Sequence, residues 1–212
     1  MRNRLQMTEQ LKWIAGALLA GCCIGIAATT YLTLGGLPGQ VMFAFGLMTV
    51  VMFGFALFTG RSGFTTGRAI LTLLPMLALN IAGCALVAYV TGNDSLTAAS
   101  EAIVAKRLAA GWLRCGILAI GCGFIMTAAV YGKKVKDTWL PLIFGVPTFI
   151  ICGFPHCVAD VYYYALYLAS NPMSGELAGC YLASVAGNYI GCNLYRLHSS
   201  PSPAPQPGKQ SS

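Results

Sequence analysis

Six apolar runs, at about 13–34, 41–58, 69–90, 108–131, 139–168 and 177–194, take up most of this 212-residue chain. A helix needs about 20 apolar residues to cross the hydrocarbon of a bilayer. The pattern therefore predicts an all-α membrane protein with six transmembrane helices. Only 9% of the residues are charged, against about 25% in a soluble domain. That is too little charge to clothe a folded surface in water. The 25 glycines suit close approach of membrane helices. Cys22, Cys23, Cys84, Cys115, Cys122, Cys152, Cys180 and Cys192 lie in or beside the apolar runs, no C-x-x-C pair occurs, and no His/Cys spacing suits zinc. They read as small buried side chains rather than disulfides or metal ligands, and no cofactor is expected.

The net charge of +7 has its explanation in where the cations fall. Arg2, Arg4 and Lys12 precede the first run, Arg61 and Arg68 follow the second, Lys133, Lys134 and Lys136 follow the fourth, and Arg196 and Lys209 follow the sixth. The opposite loops hold an uncharged GGLPGQ, then Asp94, Glu101, Lys106 and Arg107, and finally Glu176. The positive-inside rule puts the cation-rich side in the cytoplasm, with both termini, as an even number of spans requires. The expected organisation is a cytoplasmic segment at 1–12, a transmembrane domain at 13–195 and a disordered Pro/Ser-rich tail at 196–212. The location is the inner or cytoplasmic membrane, no signal peptide is evident, and no nucleic-acid partner is needed to account for the charge.

Two runs are interrupted. The second stops at Phe58-Thr59-Gly60-Arg61-Ser62-Gly63, and 59–68 is expected to be an irregular loop, since Gly permits angles that a helix forbids. The fifth contains Cys152-Gly153-Phe154-Pro155-His156-Cys157-Val158-Ala159-Asp160. Pro155 removes a backbone donor there, and Phe154 is pushed off helical angles. Each break falls in the second span of a three-span half. Paired broken spans point to a transporter site between inverted repeats, and freed backbone groups at that depth are tolerated where they line a cavity.

Few ionisable residues lie at membrane depth. His156 sits deep in the fifth run, where such a group is a functional candidate, with a structural histidine bonded to a carbonyl as the alternative. Asp160, four residues on, either orients His156 or lies nearer the outer surface. Lys106 and Arg107 are either snorkelling cations or an anion-attracting vestibule.

Several segments resemble signatures of the formate/nitrite transporter family. Phe43-Ala44-Phe45-Gly46-Leu47 through Leu57-Phe58-Thr59-Gly60 is similar to the family's second span, Gly153 to Asp160 to its G-F-E-H-S-V-A-N, and Gly187-Asn188-Tyr189-Ile190-Gly191 to its sixth-span G-N-x-x-G. Lys106, with Leu113-Arg114 and Gly116-Ile117-Leu118, resembles its Lys and L-R-G-I-L. The resemblance implies an aquaporin-like fold of two inverted three-helix repeats, assembled as a homopentamer with a substrate pore in each protomer. It implies Thr59 and His156 at the pore centre, apolar constrictions from Phe43, Leu47, Leu57, Phe58 and Phe149, polar help from Asn188 and attraction by Lys106. The implied substrates are small monovalent anions such as formate, nitrite, hydrosulfide, acetate and lactate. Because a bare carboxylate costs far more to bring into an apolar passage than a protonated one, passage across the lipid bilayer with a proton is expected, with an anion channel whose His156 is already charged as the alternative. The chain departs from the pattern at Ala56 and Pro155, where the family has Glu, at Asp160 and Ile120, where it has Asn, and at Arg61, where Asn is common. Competing readings are an aquaporin-like channel for neutral solutes, although Asn-Pro-Ala boxes are missing and only Asn171-Pro172 approaches one, and an intramembrane enzyme using His156, Cys157 and Asp160.

Overall fold

The computed structural model describes residues 2–197; the tail from His198 onward, expected to be disordered, lies outside the described residues. The elements of the described chain are all helices. Helix α1 (Arg2–Leu34) turns at Gly35 into α2 (Gly36–Phe53). After an extended stretch comes the five-residue α3 (Phe58–Ser62), then a 3-10 turn (Gly67–Thr72) running into α4 (Leu73–Thr91). Helix α5 (Asp94–Lys136) is bent at Gly111, whose φ of 74° breaks it into two parts. Helices α6 (Leu140–Ile151) and α7 (Ala159–Leu168) flank a second gap, and α8 (Gly175–Asn193) closes the bundle. Among the described residues, Gln6–Leu34, Gly36–Phe53, Gly67–Thr91 and Asp94–Lys136 are each long and apolar enough to cross a membrane, and Leu140–Ile151 is a shorter apolar helix.

The fold corrects one expectation about the breaks. The stretch expected as an irregular loop from residue 59 is helical through Ser62, and the helix stops earlier, at Gly54. Gly54 adopts left-handed angles (φ 67°, ψ 24°), its N–H donates to Val51 O at 3.3 Å, and Phe55 N–H donates to Val50 O at 2.9 Å. That closure of a helix end needs a residue free to take positive φ. The signal lay in Gly54, five residues before the Thr-Gly that drew attention in the sequence.

Glycines bring the helices together in two pairs, α1 with α4 and α5 with α8. A Cβ on Gly21 would lie 2.1 Å from Asn80 O, and one on Gly83 would lie 2.1 Å from Leu18 O. In the other pair, a Cβ on Gly123 would lie 2.1 Å from Asn188 O, and one on Gly191 would lie 2.0 Å from Ile120 O. Backbone meets backbone at all four, so a side chain has nothing flexible to displace. Gly123→Val should push α5 off α8 and cost roughly 1–3 kcal/mol or more, read as a fall in the thermal midpoint of the detergent-solubilised protein.

Candidate pore centre

The two gaps are built alike. In the second, Gly153 takes the left-handed role (φ 67°), its N–H donates to Ile150 O at 3.0 Å, and Phe154 N–H donates to Phe149 O at 2.9 Å. These are the same bonds, in the same register, that close α2 at Gly54. Each gap then exposes backbone groups that no helix satisfies, and a buried unpaired backbone group costs as much as a lost hydrogen bond. Two buried asparagines supply the partners. Asn80 on α4 donates to Ala56 O at 2.9 Å and Ala17 O at 2.8 Å, and accepts from Phe58 N–H at 2.8 Å. Asn188 on α8 donates to Pro155 O at 2.9 Å and Ala119 O at 2.8 Å, and accepts from Cys157 N–H at 2.8 Å. Asn188, expected to help line a pore, is fully buried and commits its amide to the gap. Asn80 was not singled out from the sequence, although its Asn80-Ile81-Ala82-Gly83 repeats the N-x-x-G of Asn188-Tyr189-Ile190-Gly191.

The gaps converge on one contact. Thr59, in the first turn of α3, and His156, in the second gap, are separated by 97 residues, yet Thr59 Oγ1 lies 2.9 Å from His156 Nε2. The N–H of Ala159 donates to His156 Nδ1 at 3.1 Å. Nδ1 therefore acts as the acceptor, the proton of the neutral imidazole is assigned to Nε2, and that N–H donates to Thr59 Oγ1. The threonine keeps its own hydroxyl proton for another acceptor. Phe149 stacks on the imidazole at 5.6 Å, and Phe43 meets the edge of Phe149 at 6.1 Å. Phe43, Leu47, Leu57, Phe58 and Phe149 are all at most 3% exposed, so the pair sits in an apolar surround.

A cavity lies on either side of this contact. The larger, about 100 Å³, is lined by Tyr31, Lys106, Arg107, Phe149, His156 and Asp160 among others. The smaller, about 40 Å³, is lined by Leu47, Leu57, Gly60, Arg61, Val130 and Lys134 among others. Lys106 and Arg107 lie before the Gly111 bend of α5 and Lys134 near its C-terminal end. The part of α5 from Trp112 to Lys134 rises about 33 Å, enough to cross the roughly 30 Å of a hydrocarbon core.

Arg107 and Asp160 have partners that the sequence did not anticipate. Arg107 Nε lies 3.2 Å from Asp160 Oδ2, and its Nη2 donates to Asp160 Oδ1 at 3.2 Å. Its Nη1 donates to the Gly153 carbonyl at 2.7 Å. Asp160 therefore does not orient His156 through its carboxylate, and Arg107 does not snorkel. The bend at Gly111 swings the 94–110 part of α5 so that its cation reaches the second gap. Arg61 does the corresponding service at the first gap, donating from Nη2 to the Gly54 carbonyl at 3.0 Å. Lys106 remains exposed at the larger cavity.

This arrangement does not assemble a catalytic set. Both ring nitrogens of His156 are engaged by Thr59 and Ala159, and the Asp160 carboxylate is paired with Arg107. Asn171 of the Asn-Pro dipeptide binds Tyr167 O at 3.0 Å and Glu101 at 3.4 Å, away from the central pair. Among the described residues no group of three or more His, Cys, Asp or Glu could hold a metal ion.

Comparisons with known proteins agree with one another. The family model described as "Formate/nitrite transporter" matches residues 2–196. A curated relative, the formate channel FocA of Haemophilus influenzae, is 27% identical over 184 residues, with 72% of this chain and 64% of that protein covered. The chain thus spans somewhat less than two thirds of that relative's length. Among solved structures, a pentameric formate channel with formate bound superimposes with a TM-score of 0.74 at 19% identity, covering 87% of this chain and 93% of the other. An ion channel of the FNT family superimposes with a TM-score of 0.72 at 19% identity, covering 91% and 90%.

Proposed function

The chain belongs to the formate/nitrite transporter family, a family of membrane transporters rather than enzymes, and from that premise we propose that it carries small monovalent anions through a pore in each protomer. The observation that carries this reading is the buried Thr59–His156 contact, with one cation-bearing cavity lined by His156 and another lined by Leu57 and Gly60 beside Thr59. The proposed architecture is six spans in two inverted three-helix halves, aquaporin-like. The first half is α1, α2 with α3, and α4; the second is α5 beyond Gly111, α6 with α7, and α8. The matched closures at Gly54 and Gly153 and the matched asparagines support it. So does length: α6 and α7, of 12 and 10 residues, each span about half of the hydrocarbon. The transport domain covers 13–195. The membrane is the inner or cytoplasmic one, with both termini in the cytoplasm as the cation bias directs. The assembly is a homopentamer, as in the solved formate channel.

Thr59 and His156 form the centre of the pore, Phe43, Leu47, Leu57, Phe58 and Phe149 narrow it, and Lys106 draws anions to one mouth. Asn188 serves by holding the second gap. Moving a bare carboxylate into a low-dielectric passage costs tens of kcal/mol by a Born estimate. Protonating an acid of pKa about 4 at pH 7 costs about 4 kcal/mol. Passage as the neutral acid is therefore far cheaper. The free hydroxyl proton of Thr59 faces the anion. As the hydroxyl gives that proton, it takes the one on His156 Nε2, and the ring takes a proton at Nδ1 from water, leaving hydroxide in the larger cavity; return of the ring to the Nε2–H tautomer, with Ala159 N–H again on Nδ1, completes the cycle.

The test is a flux panel of formate, nitrite, hydrosulfide and acetate in proteoliposomes at two pH values. Uptake of a weak-acid anion should alkalinise the outside in step with its flux. Current without that pH change would assign a bare anion channel instead, and no flux of any of the four would overturn the transport reading.

A further inference from the structure

The two cavities differ in a way the central contact does not explain. At the larger one, the lining holds Lys106 and Arg107 against one carboxylate, Asp160, and the Arg107–Asp160 pair is closed on itself. The net charge there is that of Lys106. At the smaller one, the lining holds Arg61 and Lys134 and no acidic residue. The acid nearest in sequence, Asp137, is engaged by Lys133. Arg61 spends one N–H on the Gly54 carbonyl, and Lys134 sits over the Phe64 ring at 4.9 Å. Two cations thus face one small cavity whose remaining walls are apolar: Leu47, Val50, Val51, Leu57 and Val130. Their mutual repulsion is relieved by an anion between them. Arg61 stands in the register of Asp160, so one mouth carries a cation where the other carries an anion.

We propose that this cavity, between α2, α3 and the end of α5, is a second anion-binding site, in which Arg61 and Lys134 hold a small monovalent anion at the mouth opposite Lys106. The site rests on the transport reading above and deepens it. A buried water needs about 10–15 Å³, so a cavity of about 40 Å³ takes an anion of about three heavy atoms. Formate and nitrite have that size, whereas acetate is larger. The two mouths are unequal: this one loads at lower concentration because two unneutralised cations act on the anion, against one at the other.

Right-side-out and inverted membrane vesicles containing the protein separate the mouths, with formate as the probe. Wild-type protein should half-saturate at a lower formate concentration in one vesicle type. Arg61→Gln with Lys134→Gln should raise that concentration about a hundredfold in that vesicle type only, and Lys134→Gln alone about tenfold, since each unit charge near 6 Å at intermediate dielectric is worth about a factor of ten. The shift should shrink as potassium gluconate is raised from about 10 mM to about 150 mM. An unchanged concentration in both vesicle types, or an equal rise in both, would overturn the site. Lys134→Gln alone, at an exposed position, gives the same test if the double variant fails to fold. A bromide soak of wild-type crystals read by anomalous scattering decides the matter without transport. Bromide between Arg61 and Lys134 in a protein that carries no formate would keep the site and remove the transport reading. A cavity free of bromide while other sites fill would remove the site.

Discussion

Thr59→Val lowers formate flux by about ten- to a hundredfold per folded protomer while the bundle stays assembled. Valine matches the shape of threonine but removes the hydroxyl that the proposed mechanism uses to offer a proton to the anion. A hydrogen bond to a charged partner is worth about 1.5–3 kcal/mol, and about 1.4 kcal/mol is a factor of ten in rate. The change also strands the proton on His156 Nε2, which costs about 1–3 kcal/mol of stability. Flux is therefore normalised to monodisperse protein recovered after reconstitution. Thr59→Ser, which keeps the hydroxyl, should retain most of the flux. Valine at 59 with undiminished flux would remove the Thr59–His156 contact from the mechanism. His156→Ala is the companion: full formate flux in that variant would show the imidazole to be dispensable.

Asn188→Leu should cost about 2–6 kcal/mol of stability. It leaves Pro155 O and Cys157 N–H without their partner in an interior with no water to replace it. Two such groups at about 1–3 kcal/mol each come to about 2–6 kcal/mol, a large part of the 5–15 kcal/mol typical of a folded protein. Asn80→Leu should behave alike, since Ala56 O and Phe58 N–H lose the same service. Thermal unfolding in detergent, followed by helical circular dichroism, measures both. If either variant melted with wild-type protein, the asparagines would not be what holds the gaps. Equal losses from the two changes would be the energetic counterpart of the structural match between the halves.

Much of the architecture was legible along the chain because membrane burial is written in composition. Apolar runs and the Gly-Phe-Pro-His segment act locally, and they led to the helices and the second gap found there. The gap at Pro155 was legible because proline breaks a helix wherever it stands. The gap at Gly54 was misplaced by a few residues because glycine only permits a break, and the chain carries 25 glycines. Asn80 was legible in principle from the repeated N-x-x-G, but a single asparagine in an apolar run gives no sign of what it binds.

The sequence by itself determined that this chain lives in lipid, is helical, and places a threonine and a histidine at breaks in its apolar runs. Only the tertiary structure decided that those two meet at 2.9 Å, that Arg107 turns back across the Gly111 bend to Asp160, and that Arg61 and Lys134 share a cavity. The reason is physical. Burial and helix breaking depend on a residue and its near neighbours. A hydrogen bond or an ion pair depends on distance in space, and these join side chains as far apart in sequence as Thr29 and Tyr162, 133 positions, through helix packing that no local pattern records.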